Sequence, residues 1–161
     1  MIKNMDITIW DFDNVLFRNP NNIYSDEILA RRENVVKKDV LEQYGIKYRK
    51  NAYMNILLTG RGEFQKNLVE KLLMEFGYKF DATIFYNKNR TEFPEYNKTI
   101  DAREFYINYW HWKISNILRI CRKFSKYDIT IIDDDEVLNL MCKKLNIKCI
   151  QFDARKIKEE I

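Results

Sequence analysis

Five short apolar runs, two of them bounded by acid, alternate along this chain with stretches of helical period. That alternation narrows the available folds more than any other feature. The runs are 6–11 (Asp-Ile-Thr-Ile-Trp-Asp), 54–58 (Met-Asn-Ile-Leu-Leu), 82–86 (Ala-Thr-Ile-Phe-Tyr), 128–132 (Asp-Ile-Thr-Ile-Ile) and 147–151 (Ile-Lys-Cys-Ile-Gln). Each reads as a short buried strand. Between them, Phe64, Leu68, Val69, Leu72, Leu73 and Phe76 predict a helix over 62–76, with Gly77 suited to a left-handed stop. A long helix is predicted over 100–124, with Thr99 as N-cap and Asp101 in its first turn, and a third over 135–145. Strands alternating with helices predict an α/β fold, a five-stranded parallel sheet with helices on both faces. All 161 residues read as a single domain with one insertion at about 17–53, where a helix is expected from about Ser25 to Tyr44.

Composition removes several classes of chemistry. The one histidine, His111, cannot build a His-pair zinc site. Cys121, Cys142 and Cys149 contain no CxxC pair, and their odd number fits reduced thiols in the core. Gly60-Arg61-Gly62 begins a GxG, but Gln65 stands where a dinucleotide fingerprint needs its third glycine, and no GxxxxGK occurs. No apolar run approaches the roughly 18 residues of a membrane helix. No leader-like segment opens the chain, so an intracellular protein, cytoplasmic or nuclear, without a membrane partner is expected. What remains in quantity is carboxylate, amine and hydroxyl chemistry.

In parallel sheets of this kind ligands sit beyond the carboxyl ends of the strands. The first strand ends in Asp11-Phe12-Asp13, the second in Thr59-Gly60-Arg61 and the fourth in Asp133-Asp134-Asp135. Carboxylates gathered at adjacent strand ends repel unless something positive sits among them, and Mg²⁺ prefers such oxygen ligands. Lys113 shares a helical stripe with Ile117, Ile120, Cys121 and Phe124. A lysine on an apolar face needs an anion or a route to the surface.

These residues carry a resemblance. The run Ile9-Trp10-Asp11-Phe12-Asp13-Asn14-Val15-Leu16-Phe17 resembles the first motif of the haloacid dehalogenase-like phosphatase superfamily. Leu57-Leu58-Thr59-Gly60-Arg61 resembles its second, Lys113 its third and Ile131-Ile132-Asp133-Asp134 its fourth. With Leu16-Phe17-Arg18-Asn19-Pro20, the set is similar to the Swiss Army Knife RNA repair-like branch. The resemblance implies a Rossmann-like fold and a phosphatase. Asp11 would be the nucleophile forming an aspartyl-phosphate, and Asp13 the acid and base. Thr59 and Gly60 would hold phosphoryl oxygens, and Lys113 would neutralise charge. Mg²⁺ would be held by Asp11, Asp13, Asp133 and Asp134. Arg18 and Arg61 are candidates for a second substrate phosphate. Asn14 and Val15 stand where the family usually has Gly and Thr, which bears on turnover. Lys123 and Lys126 are alternatives to Lys113, and which of Asp133, Asp134 and Asp135 meets the metal stays open.

Seven basic residues between 31 and 50 against three acids, and aromatics interleaved with cations over 86–96, point toward a phosphorylated RNA or DNA end. A solvated helix face explains the same basic residues, and the rings at Tyr106, Tyr109, Trp110 and Trp112 equally suit a core. The alternatives are a small-molecule phosphatase acting on a nucleotide or sugar phosphate, and a non-catalytic nucleic-acid-binding module on the same fold.

Overall fold

In the computed structural model, which describes residues 5–86 and 100–158, five parallel strands lie in the order β3-β2-β1-β4-β5. They are β1 (Asp6–Trp10), β2 (Met54–Gly62), β3 (Ala82–Tyr86), β4 (Asp128–Asp133) and β5 (Lys148–Gln151). The expected strands are all present. β2 runs beyond its expected end, so Thr59, Gly60 and Arg61 form its last turn of strand rather than a loop. Its pairing with β3 slips between Thr59 and Gly62.

Strand alternation sorts the side chains. Trp10, Leu57, Phe85 and Ile132 point into one core, against α1 (Asp26–Leu29), α2 (Lys38–Gln43) and α3 (Lys66–Glu75). Ile7, Ile9, Ile56, Leu58 and Ile131 point into the other, against α4 (Ile100–Lys123) and α5 (Glu136–Lys144). Helices therefore cover both faces. The strand order reverses between β1 and β4, which are paired in register from Asp6↔Asp128 to Trp10↔Ile132. The next peptide continues the ladder, Asp11 N–H donating to the Ile132 carbonyl at 3.0 Å. Asp11 and Asp133 thus leave the sheet side by side at the switch point.

The predicted helix over 25–44 is corrected. The segment is α1, a 3-10 turn over Arg32–Asn34, and α2. Val35 and Val36 interrupt it because their backbone pairs elsewhere. Val36 N–H donates to Leu16 carbonyl at 2.8 Å, Arg18 N–H to Asn34 carbonyl at 2.7 Å, and Phe17 bridges Val35. Both valines are buried in the first core. Part of the basic stretch is paired within the chain, at its surface. Arg32 pairs with Glu75 at 2.8 Å, Arg49 with Asp6 at 3.1 Å, and the Lys38 ammonium lies 5.3 Å from the Tyr48 ring centre. Arg31, Lys37, Lys47 and Lys50 are exposed. The expected N-cap Thr99 and residues 87–96 of the aromatic and cationic loop lie outside the described residues. No described helix is long and apolar enough to cross a membrane.

After β1 the chain turns sharply. Asn14 takes φ 61°, the left-handed conformation that Asn tolerates better than most residues. Its side chain also closes the turn, Oδ1 accepting from Asn19 N–H at 2.8 Å and Nδ2 donating to Asn19 carbonyl at 3.1 Å. Asn14→Gly keeps the backbone and loses the two bonds, lowering stability by about 1–2 kcal/mol. Asn14→Ala adds left-handed strain, for a total of about 3 kcal/mol. Urea denaturation measures both, and equal losses would show that backbone conformation is not the constraint.

Candidate active site

The centre of the site is an ammonium among carboxylates. Ile114, Ile117 and Ile120 bury one face of α4 in the second core and carry Lys113 with them, 1% exposed. Its Nζ lies 2.9 Å from Asp11 Oδ1 and 2.6 Å from Asp133 Oδ2, and donates to the Tyr109 hydroxyl at 3.2 Å. Burial alone would lower the lysine's pKa, but Asp11 and Asp133 outweigh it and hold the pKa well above its usual value. Lys113 is therefore charged at every ordinary pH.

Asp134 joins the pair. Asp11, Asp133 and Asp134 each offer an oxygen within 4.8 Å of the others. Burial and the Asp133 charge push the Asp11 carboxyl up to about 7, Lys113 countering them in part. Burial, then Asp11 and Asp133, raise Asp134 well above the carboxylate range. Three ionised acids around one ammonium would leave negative charge uncompensated, which is why Asp11 and Asp134 hold their protons more tightly than ordinary carboxyls. Asp133 Oδ2 is also buried without a well-directed hydrogen bond, although Lys113 is close by. A set of hard oxygens with spare charge and an open lone pair fits a divalent cation such as Mg²⁺.

Asp135 has separate work. Its Oδ1 accepts Leu138 N–H at 3.1 Å, capping α5, and its Oδ2 accepts Trp110 Nε1–H at 2.8 Å. It lies outside the three-acid cluster. Lys123 and Lys126 are exposed, and Lys123 lies about 15 Å further along α4, so the buried Lys113 is the lysine at the site.

Asp13 and Arg61 are placed differently from expectation. Arg61, 1% exposed, grips Asp13 from the side, Nε to Oδ2 at 2.9 Å and Nη2 to Oδ1 at 2.8 Å. Its Nη1 donates to Gln65 Oε1 at 2.9 Å, and Gln65 in turn donates to Tyr24 carbonyl and Asp26 Oδ1. Asn19 Nδ2 adds a bond to Asp13 Oδ1 at 3.0 Å. The guanidinium is thereby committed inside the protein and is not presented to a second substrate phosphate. The Asp13 carboxylate is likewise engaged by Arg61 and Asn19 and lies outside the three-acid cluster, though it lines the same cavity. Val15 is buried in the first core, and Arg61 with Asn19 fixes the direction of the Asp13 carboxylate.

Thr59 is fully buried, its Oγ1 accepting Arg61 N–H at 3.2 Å, while Gly60 reaches the cavity wall. Arg18 is half-buried and does not line the cavity. That cavity, about 380 Å³, also takes Tyr24, Tyr106 and Tyr109 on its wall. Asn19, Gln65 and Arg155 join the site without a role expected from the sequence, and Tyr109, expected only as a ring, meets Lys113 through its hydroxyl. Tyr109 was accessible, standing one helical turn before Lys113. Arg155 follows the fifth strand end, where the same rule applied to the others would have found it.

Two outcomes follow from this charge balance. Lys113→Met leaves the buried acids uncompensated and lowers stability at pH 7.5 by about 3–5 kcal/mol. Chemical denaturation should show part of that loss restored by millimolar Mg²⁺. The raised Asp11 pKa has a definite sign. The metal-free folded state holds a proton that the unfolded chain releases near pH 4, so this group costs stability as pH rises toward 7. Divalent-cation binding displaces the proton. Mg²⁺ affinity measured by calorimetry should therefore rise with pH through about 7 and then level, and a pH-independent affinity would exclude Asp11 as a ligand.

No family model matches the sequence, and no curated protein matches it. Solved structures do. One is a chain in the "Structure of Pnkp1/Rnl/Hen1 complex", with a TM-score of 0.44, 16% identity, and alignment over 92% of this chain and 46% of that one. Another is a chain in the "Structure of the Pnkp1/Rnl/Hen1 RNA repair complex", with a TM-score of 0.43, 17% identity, and coverage of 91% and 42%. The chain thus spans less than half the length of the solved chains it resembles.

Proposed function

We propose that the chain is a Mg²⁺-dependent phosphomonoesterase of the haloacid dehalogenase-like type, acting on the terminal phosphate of a nucleotide or nucleic-acid end. The observation that carries this reading is the buried Lys113 ammonium between Asp11 and Asp133, with Asp134 completing an oxygen cluster at the switch point of the sheet.

In the proposed reaction an Asp11 oxygen attacks phosphorus, and the bond from phosphorus to the ester oxygen breaks. Asp13, lining the cavity beside Asp11 and held as a carboxylate by Arg61, relays a proton from solvent to the departing alkoxide. A water then attacks the aspartyl-phosphate, its proton passing through Asp13 back to solvent, and inorganic phosphate and the Asp11 carboxylate are freed. Arg61 and Asn19 hold Asp13 in one direction throughout, and Lys113 offsets charge on Asp11 and on the phosphoryl oxygens. Asp11, Asp133 and Asp134 would hold Mg²⁺, which would supply the remaining positive charge for a transfer governed by positioning and neutralisation. A cavity of about 380 Å³ with tyrosine rings on its wall suits a nucleotide-sized group. The same enclosure favours the second reading, in which the substrate is a free nucleotide or sugar phosphate.

A generic aryl phosphate tests the chemistry without presupposing the substrate. Phosphate release should require Mg²⁺ and fall at least about a thousandfold in Asp11→Asn. Turnover surviving in that variant would remove Asp11 from the role of nucleophile.

A further inference from the structure

The cavity wall carries two cations that the proposed chemistry does not use. β5 ends at Gln151, and the chain turns back at once across the site. Phe152 N–H donates to Asp133 carbonyl at 3.2 Å, and Ala154 N–H to Asn14 carbonyl at 2.6 Å. The 3-10 turn Ala154–Lys156 is therefore anchored to both acid-bearing strand ends. Asp153 caps it by accepting Arg155 N–H at 3.0 Å.

Asp153 also fixes the arginine side chain. Arg155 Nε lies 2.9 and 3.1 Å from the two Asp153 oxygens, and Nη2 lies 2.8 Å from Oδ2. Nη2 is also 3.8 Å from Asp134 Oδ2, at the edge of the acid cluster. This side-on pairing leaves Nη1 without a partner among the described residues, and Lys156 Nζ has none there either. The rest of the wall is acidic, with Asp11, Asp134, Asp135, Glu136 and Asp153 on it. Asp13 is already neutralised by Arg61.

An acid-lined cavity repels a polyanion except where cations with unspent donors meet it. A substrate with a single phosphate, bound at Asp11, Lys113 and Mg²⁺, would need neither Arg155 nor Lys156. A pre-oriented guanidinium edge beside a lysine matches the geometry of a second phosphate. Tyr106 and Tyr109 on the same wall offer rings to a base. We propose that Arg155 and Lys156 are specificity-determining residues that bind a second phosphate of the substrate. The preferred substrate is then a nucleotide carrying a phosphate beyond the one hydrolysed. This rests on the phosphomonoesterase reading above for the position of the first phosphate.

Binding to the Asp11→Asn protein with Mg²⁺, followed by calorimetry, separates this inference from the catalytic one. The probes are adenosine 3′-monophosphate, adenosine 3′,5′-bisphosphate and a 3′-phosphorylated trinucleotide. The bisphosphate should bind about tenfold or more tightly than the monophosphate. Arg155→Ala, made in that background, should erase the preference, and Lys156→Ala should reduce it. Lys156 is exposed, so its variant serves even if Arg155→Ala, which leaves Asp153 unpaired, folds poorly. A trinucleotide binding no better than the bisphosphate identifies the second phosphate's source as a free nucleotide, and tighter binding identifies a polymer end. Equal affinity for mono- and bisphosphate, or a preference untouched by both variants, overturns the inference even if aryl phosphate is hydrolysed. A preference that depends on Arg155 in a protein that hydrolyses nothing would uphold this anion site and sink the enzyme reading.

Discussion

A lysine ammonium sealed from water decides how this protein is put together around its site. Lys113 cannot be buried alone, because an unpaired charge in the interior is far more costly than any single packing contact. Its position on α4 is fixed by Ile114, Ile117 and Ile120, so the anions must come to it. Strand alternation brings them. Asp11 and Asp133 continue the same face as Ile9 and Ile131, the face that α4 covers. The apolar pattern that builds the second core thus also aims two carboxylates at one amine.

Most of the sheet and the centre of the site could be read from the sequence, for a reason that the failures make plain. Short apolar runs, and a charge on an apolar stripe, are local patterns whose meaning does not depend on distant partners. The stretch from Ser25 to Tyr44 has helical composition too, but Val36 N–H donates to Leu16, the Asn34 carbonyl accepts from Arg18 and Val35 bridges Phe17, a competition invisible along the chain. Arg61 shows the same limit. Its type suggested a ligand for phosphate, whereas the structure closes it on Asp13, 48 residues away. The triple aspartate is ambiguous along the chain for a similar reason, because only the fold shows Asp135 capping α5 and holding Trp110 while Asp133 and Asp134 face Asp11.

Two acids on one short turn have opposite surroundings. Asp11 is held by a lysine it shares with another carboxylate, and its proton affinity rises with burial. Asp13, two residues on, is gripped on both oxygens by an arginine that pairs with no other acid among the described residues. That arginine is itself braced through Gln65 to Tyr24 and Asp26, so the segment after β1 helps set the geometry of the Asp11–Asp13 turn. Asn19 ties the same insertion to Asp13 directly. The 17–53 segment therefore serves as scaffolding for the site as well as cover for the sheet.

The pairing of β1 with β4 also orders events in time. Neighbouring strands that carry the two acids are separated by more than a hundred residues, with β2, β3 and α4 made in between. Closing so long a loop is slow, and the contact that rewards it forms only when β4 docks. During synthesis the first motif emerges early and waits. The amine and its second carboxylate arrive only after most of the chain has left the ribosome. A nascent or prematurely stopped polypeptide would carry Asp11 without the ammonium and the second carboxylate that surround it in the fold.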